Sequence, residues 1–228
     1  MGTHDGHRER KRAQFLEHGL DSFADHEVLE LLLFYAIPRK DTNGIAHALM
    51  DRFGSLDAVL SAPVEELEKV AGVGSSAAAL IKLVPQIYRR SRITADEHPA
   101  ILHDTASIGA FFLDRFVGES NEVTYVACLD AKGKVITCRR LSEGSIGAAE
   151  ISVRKVMETA LRCNAAAVVL AHNHPSGVAL PSREDLFATK QVADALCATG
   201  IALLDHIIVA DGDFVSMAEN GIIQRRSV

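Results

Sequence analysis

Residues 171–185 read Ala-His-Asn-His-Pro-Ser-Gly-Val-Ala-Leu-Pro-Ser-Arg-Glu-Asp, and this stretch holds the side chains best able to do chemistry. An apolar run, Ala166–Leu170, precedes it with the pattern of a short buried strand. From Asp185 to Leu196 apolar residues recur at helical spacing. Residues two apart on a strand share a face, so His172 and His174 can reach one point in space. The Pro/Gly loop turns the chain back, and Asp185, in the first turn of the helix, closes on the same point. Two imidazoles and a carboxylate, with a fourth position left for water, form the ligand set of a catalytic zinc site. Ser182 stands at the helix N-cap, with Asp185 three residues on in capping-box spacing. The competing use of these residues is structural: histidines satisfied in a core, and Ser182 and Asp185 merely ending a helix.

His-x-His, seven residues, Ser, two residues, Asp is the JAMM motif. The longer strings His-Asn-His-Pro-Ser-Gly and Pro-Ser-Arg-Glu-Asp resemble the bacterial RadC branch of the JAB/MPN metalloprotease superfamily. The resemblance implies a Zn2+-dependent hydrolase of metallopeptidase or isopeptidase type, acting on a protein or peptide, with His172, His174 and Asp185 as metal ligands. It also implies an acid–base glutamate at the start of an early strand. Glu122, in Asn121-Glu122-Val123-Thr124-Tyr125-Val126, matches that position, with Glu150 and Glu184 as rivals. In that scheme the water on the metal is acidified, Glu122 takes its proton, and Ser182 donates a hydrogen bond to the tetrahedral oxyanion. One corner departs from the family, which commonly has His-Pro-Arg-Glu before the helix preceding the histidine strand; this chain has Ser152-Val153-Arg154-Lys155. Asp205-His206 is a second polar pair in an apolar strand, expected as a buried structural pair or as support behind the metal ligands rather than as a fourth ligand.

Composition narrows the classes. The 228 residues are 48% apolar, enough for one large or two small cores. No apolar run approaches a membrane span and the N-terminus carries no signal-peptide pattern, so the expectation is a cytoplasmic protein with no membrane partner. Cys128, Cys138, Cys163 and Cys197 form no Cys-x-x-Cys pair and read as reduced core residues. Their spacing disfavours a zinc deaminase, which needs His-x-Glu and Cys-x-x-Cys. A net charge of -6 argues against a surface built broadly for nucleic acid.

The pattern predicts two domains, residues 1–98 and 99–228. The first is small and all-α: a polar, mobile segment over residues 1–12, then helices over Arg12–Gly19, Asp25–Tyr35, Thr42–Phe53 and Leu56–Ser61, and one after Pro63. Residues 67–82 resemble a helix-hairpin-helix, in which the Gly72-Val73-Gly74 turn presents backbone N–H groups to a phosphate. Gly72, Gly74 and Lys82 are the candidate contacts for sequence-independent DNA binding, with Lys69, Arg89, Arg90 and Arg92 near them; a packing or protein-docking turn is the alternative. A linker is expected from residue 91. The second domain interleaves strands (Glu122–Leu129, Lys134–Arg140, Ala166–Ala171, Ile201–Val209, Phe214–Met217) with helices (Thr105–Phe116, Ile151–Arg162, Ser182–Thr199), a mixed-sheet α/β domain. The resemblance makes it the JAB/MPN fold, of cytidine-deaminase-like type. Two other functions stay open: a RadC-type repair protein that binds DNA through the hairpin turn, its zinc domain regulatory, nucleolytic or inactive, and a binding module with a structural or vestigial zinc. Self-association into a homo-oligomer is also open.

Overall fold

The computed structural model describes residues 3–94, 100–143 and 151–223. The chain divides into two compact units, Met1–Tyr88 and Arg89–Val228.

The first unit is helical: α1 (Thr3–His18), α2 (Asp25–Ala36), α3 (Asn43–Phe53), α4 (Leu56–Ser61), α5 (Val64–Leu67) and the first part of α6 (Ser75–Thr94). Leu29, Leu33, Leu49, Leu67 and Ile81 are fully buried and form its core. The N-terminal stretch is not the mobile tail its polarity suggested, because α1 begins at Thr3 and two of its cations are buried. The Arg8 guanidinium donates to the carbonyls of Phe34, Ile37 and Pro38 at 3.4, 2.7 and 3.0 Å, and also to that of Lys40. Those carbonyls belong to the last turn of α2 or follow it, where helical partners run out and the helix dipole is negative. Lys11 pairs with Glu27. Polarity alone could not reveal that these charges cap a neighbouring helix.

The second unit is a five-stranded sheet in the order β2-β1-β3-β4-β5. Its strands are β1 (Val123–Leu129), β2 (Val135–Glu143), β3 (Ala167–Asn173), β4 (Ala202–Ala210) and β5 (Asp213–Ser216), and its helices α7 (Thr105–Phe116), α8 (Val153–Arg162) and α9 (Arg183–Ala198). Only the β3–β4 pair is parallel, so the sheet is mixed and the fold α/β, as expected. β3 is buried on both faces, which is why its sequence is a continuous apolar run rather than an alternating one. Its odd residues, Val169 among them, pack with Ile108 and Phe112 of α7. Its even residues, Val168 and Leu170, pack with Val156 of α8 and with Val192 and Leu196 of α9. His172 continues the even series and so points into the α9 layer. α6 continues through Thr94, past the expected start of the linker, and the division into units falls within it rather than near residue 98. No helix among the described residues is long and apolar enough to cross a membrane.

Candidate metal centre

Three elements converge on one point. β3 delivers His172, 1% exposed, at its end. His174 lies one residue beyond β3, its backbone N–H still donating to Val209 O of β4 at 2.8 Å. Asp185 sits in the first turn of α9, 8% exposed, and Ser182 is that helix's N-cap. His172 Nε2 is 2.9 Å from His174 Nε2 and 3.1 Å from Asp185 Oδ1, and His174 Nε2 is 3.4 Å from Asp185 Oδ2. Donors about 2.0–2.2 Å from a tetrahedral zinc stand about 3.3 Å from one another, and these separations, the two to Asp185 measured to different carboxylate oxygens, lie near that spacing.

Its chemistry fits a cation as well. His174 Nδ1 is 2.9 Å from Val178 O. A carbonyl oxygen only accepts, so Nδ1 carries the proton and Nε2 offers a lone pair to the cluster. Burial works against the charge of Asp185, but His172 and the Ser182 hydroxyl and amide outweigh it and hold the carboxyl well below the usual carboxylate range. An anionic oxygen and imidazole nitrogens this close call for a positive charge among them, a proton on His172 in the metal-free chain or a cation when one is bound. Thr124, whose ladder partner is His172, adds a fully buried Oγ1 with no hydrogen-bond partner on the same face.

The remaining candidates are placed as follows. Glu122 immediately precedes β1 and is half-buried. It lies two residues before Thr124, and no partner ties its carboxylate among the described residues. Asn173 fixes that corner: its Oδ1 accepts from Val123 N at 2.8 Å, and its Nδ2 donates to Asn121 O at 2.9 Å. Ser182 Oγ donates to Asp185 Oδ2 at 2.6 Å and accepts from Asp185 N at 3.1 Å, so the hydroxyl assigned to an oxyanion is occupied by the capping box here. Glu184 is exposed, and Glu150 lies outside the described residues. His206 is fully buried, with Nε2 2.8 Å from His172 Nδ1, behind the donors rather than among them. Burial, then His172, push its pKa well below the ordinary histidine value. Asp205 turns elsewhere: it accepts from Ser216 Oγ at 2.6 Å and from Ala218 N at 3.0 Å, tying β4 to the chain after β5.

The departing corner is also accounted for. Arg154 pairs with Glu158, and Lys155 Nζ donates to Leu141 O at 3.0 Å. Lys155, with Arg139 and Arg162, lines a cavity of about 390 Å³ between β2 and α8 that none of the three donors touches.

The hairpin-turn cations are mostly spent on protein. The Lys82 ammonium donates to Leu60 O and Ser61 O at 2.9 and 3.1 Å, at the end of α4. Lys69 pairs with Glu66, Arg89 with Glu119 and Arg92 with Asp114. Gly72 has φ +92°, and a Cβ there would stand 2.7 Å from Ile45 Cδ1, so packing requires this glycine. Gly74 faces open space.

Residues 102–222 match the model of the RadC-like JAB domain. The chain belongs to the RadC family. Residues 5–79 match the UPF0758 N-terminal family, so both units of this RadC-family chain have a counterpart. The chain is also similar to a UPF0758 protein of Fusobacterium nucleatum, 33% identical over 225 residues that span 96% of this chain and 97% of that one. Two supporting residues of this RadC-family chain, Asn173 and Thr189, are not marked by any motif. Thr189 carried a signal, a polar residue four after Asp185 on the stripe that Val192 and Leu196 bury. Asn173 carried none beyond its place between the histidines.

Proposed function

We propose that this RadC-family chain is a zinc-dependent hydrolase that cleaves an amide bond in a protein or peptide. The observation behind this reading is the cluster of His172, His174 and Asp185, whose donor atoms lie within 4.8 Å of one another. Zinc bound there would supply a Lewis acid for the substrate carbonyl and a water of lowered pKa. The residues do the rest. Glu122, with an untied carboxylate and a fixed backbone, takes the proton and returns it to the leaving amine. Ser182, released from Asp185 by a small rotation of its hydroxyl, donates to the oxyanion.

The test is elemental analysis of wild type beside the His172→Ala/His174→Ala double variant, followed by peptide-cleavage screens with Glu122→Gln as control. About one zinc per chain, lost in the double variant, and cleavage abolished by Glu122→Gln are expected. Wild type unable to take up zinc would overturn the proposal, as would cleavage that survives loss of the metal.

A further inference from the structure

A neutral imidazole can ligate a metal through Nε2 only if its single proton sits on Nδ1. For His174, Val178 O enforces that state directly. For His172 the partner is another imidazole, which can either donate or accept, so one contact decides nothing. The decision lies two bonds further on.

Thr189 Oγ1 is 2.5 Å from Asp185 O and 2.6 Å from His206 Nδ1. The hydroxyl has one proton. Its carbonyl partner has none, so at 2.5 Å the threonine must donate to it; Met217 Sδ, at 3.6 Å, is the weaker claimant. With that proton committed, Thr189 Oγ1 can only accept from His206, and His206 Nδ1 must be the N–H. The His206 ring is fully buried, which disfavours a second proton there, and Asp205 accepts from its backbone N–H. His206 Nε2 is then bare and accepts from His172 Nδ1, so His172 Nε2 is the nitrogen left to face His174 and Asp185.

We infer that Thr189 and His206 are positioning residues that set the tautomer of His172, through a one-way chain of hydrogen bonds ending on the backbone carbonyl of Asp185. The inference rests on the proposed metal site for its purpose, but not for its geometry. The chain leaves one donor residue, His172, and returns to another, Asp185. One turn of α9 therefore supplies a carboxylate and also fixes the protonation pattern of the imidazole opposite.

The decisive variant is Thr189→Val, which keeps the shape and removes the acceptor. His206 is then free to take the Nε2–H form that isolated imidazoles favour. In that form it donates to His172 Nδ1 and moves the His172 proton onto Nε2, where it blocks the site. Two measurements read this. Nitrogen-15 NMR of the imidazoles in the metal-free protein should find His206 as Nδ1–H in wild type and Thr189→Ser, and as Nε2–H in Thr189→Val. Chelator competition should show zinc bound about 10–100-fold more weakly by the valine variant, with serine near wild type.

Wild-type His206 found as Nε2–H would overturn the inference, a reading that holds even if the valine variant does not fold. So would a valine variant with unchanged tautomers and unchanged zinc affinity. If wild type shows the Nδ1–H tautomer but takes up no zinc, the hydrolase proposal falls while the hydrogen-bond chain stands.

Discussion

At the scale of single residues, the donors were legible and their supports were not. His172, His174, Ser182 and Asp185 announce themselves by type and spacing, because few other uses put those residues so close. Thr189 acts through its one hydroxyl and Asn173 through the two ends of its amide, which no spacing rule detects. Ser182 caps α9, and its proposed role toward the oxyanion can be separated from that one. Ser182→Ala removes the N-cap of α9 and should cost roughly 1 kcal/mol of stability, read by denaturant unfolding. If it also donates to the oxyanion, turnover should fall by about 10²–10³ while zinc content is largely kept; equal loss of both would leave it as scaffold. Asn173→Ala strands the buried Val123 N–H where β1 begins. It should cost about 1–3 kcal/mol, and amide exchange should quicken at Val123 before it does at the centre of β1.

At the scale of elements, hydrophobic period did most of the work. The fully buried run of β3, the amphipathic stripe of α9 and the end of α3 at Phe53 lie where the sequence pattern put them. The misses are charged residues whose partners are far along the chain. Arg8 and Lys82 resemble surface cations until the carbonyls of α2 and α4 are seen beneath them. Lys82→Met should therefore lower stability and leave any DNA affinity unchanged. Burial also pulls the Lys82 pKa below its usual 10.5. The folded chain releases this proton at lower pH than the unfolded chain does. For this group alone, stability rises with pH between the depressed value and 10.5. Wild type should gain on Lys82→Met across that interval in thermal melts; a constant difference would remove the argument. Gly72→Ala, forced against Ile45 at positive φ, should unfold the first unit at lower temperature whether or not nucleic acid is present.

At the scale of the whole molecule, the three donors are held before any metal arrives, by β3, β4 and α9 packed around a core that does not include them. Chelation should strip zinc from the chain without unfolding it, and circular dichroism of the apo protein should match that of the loaded one. Collapse on chelation would mean that the ion carries part of the fold. Two of the donors belong to rigid elements. The third, His174, is aimed by Val178, a residue of the loop that follows it. That loop passes so close to Asp211 that a Cβ on Gly177 would meet its Oδ2 at 2.7 Å. Under the proposed metal binding, His172 and Asp185 stand on regular elements while His174 depends on the loop after it, so substitutions in that loop should change how long an ion stays rather than where it binds.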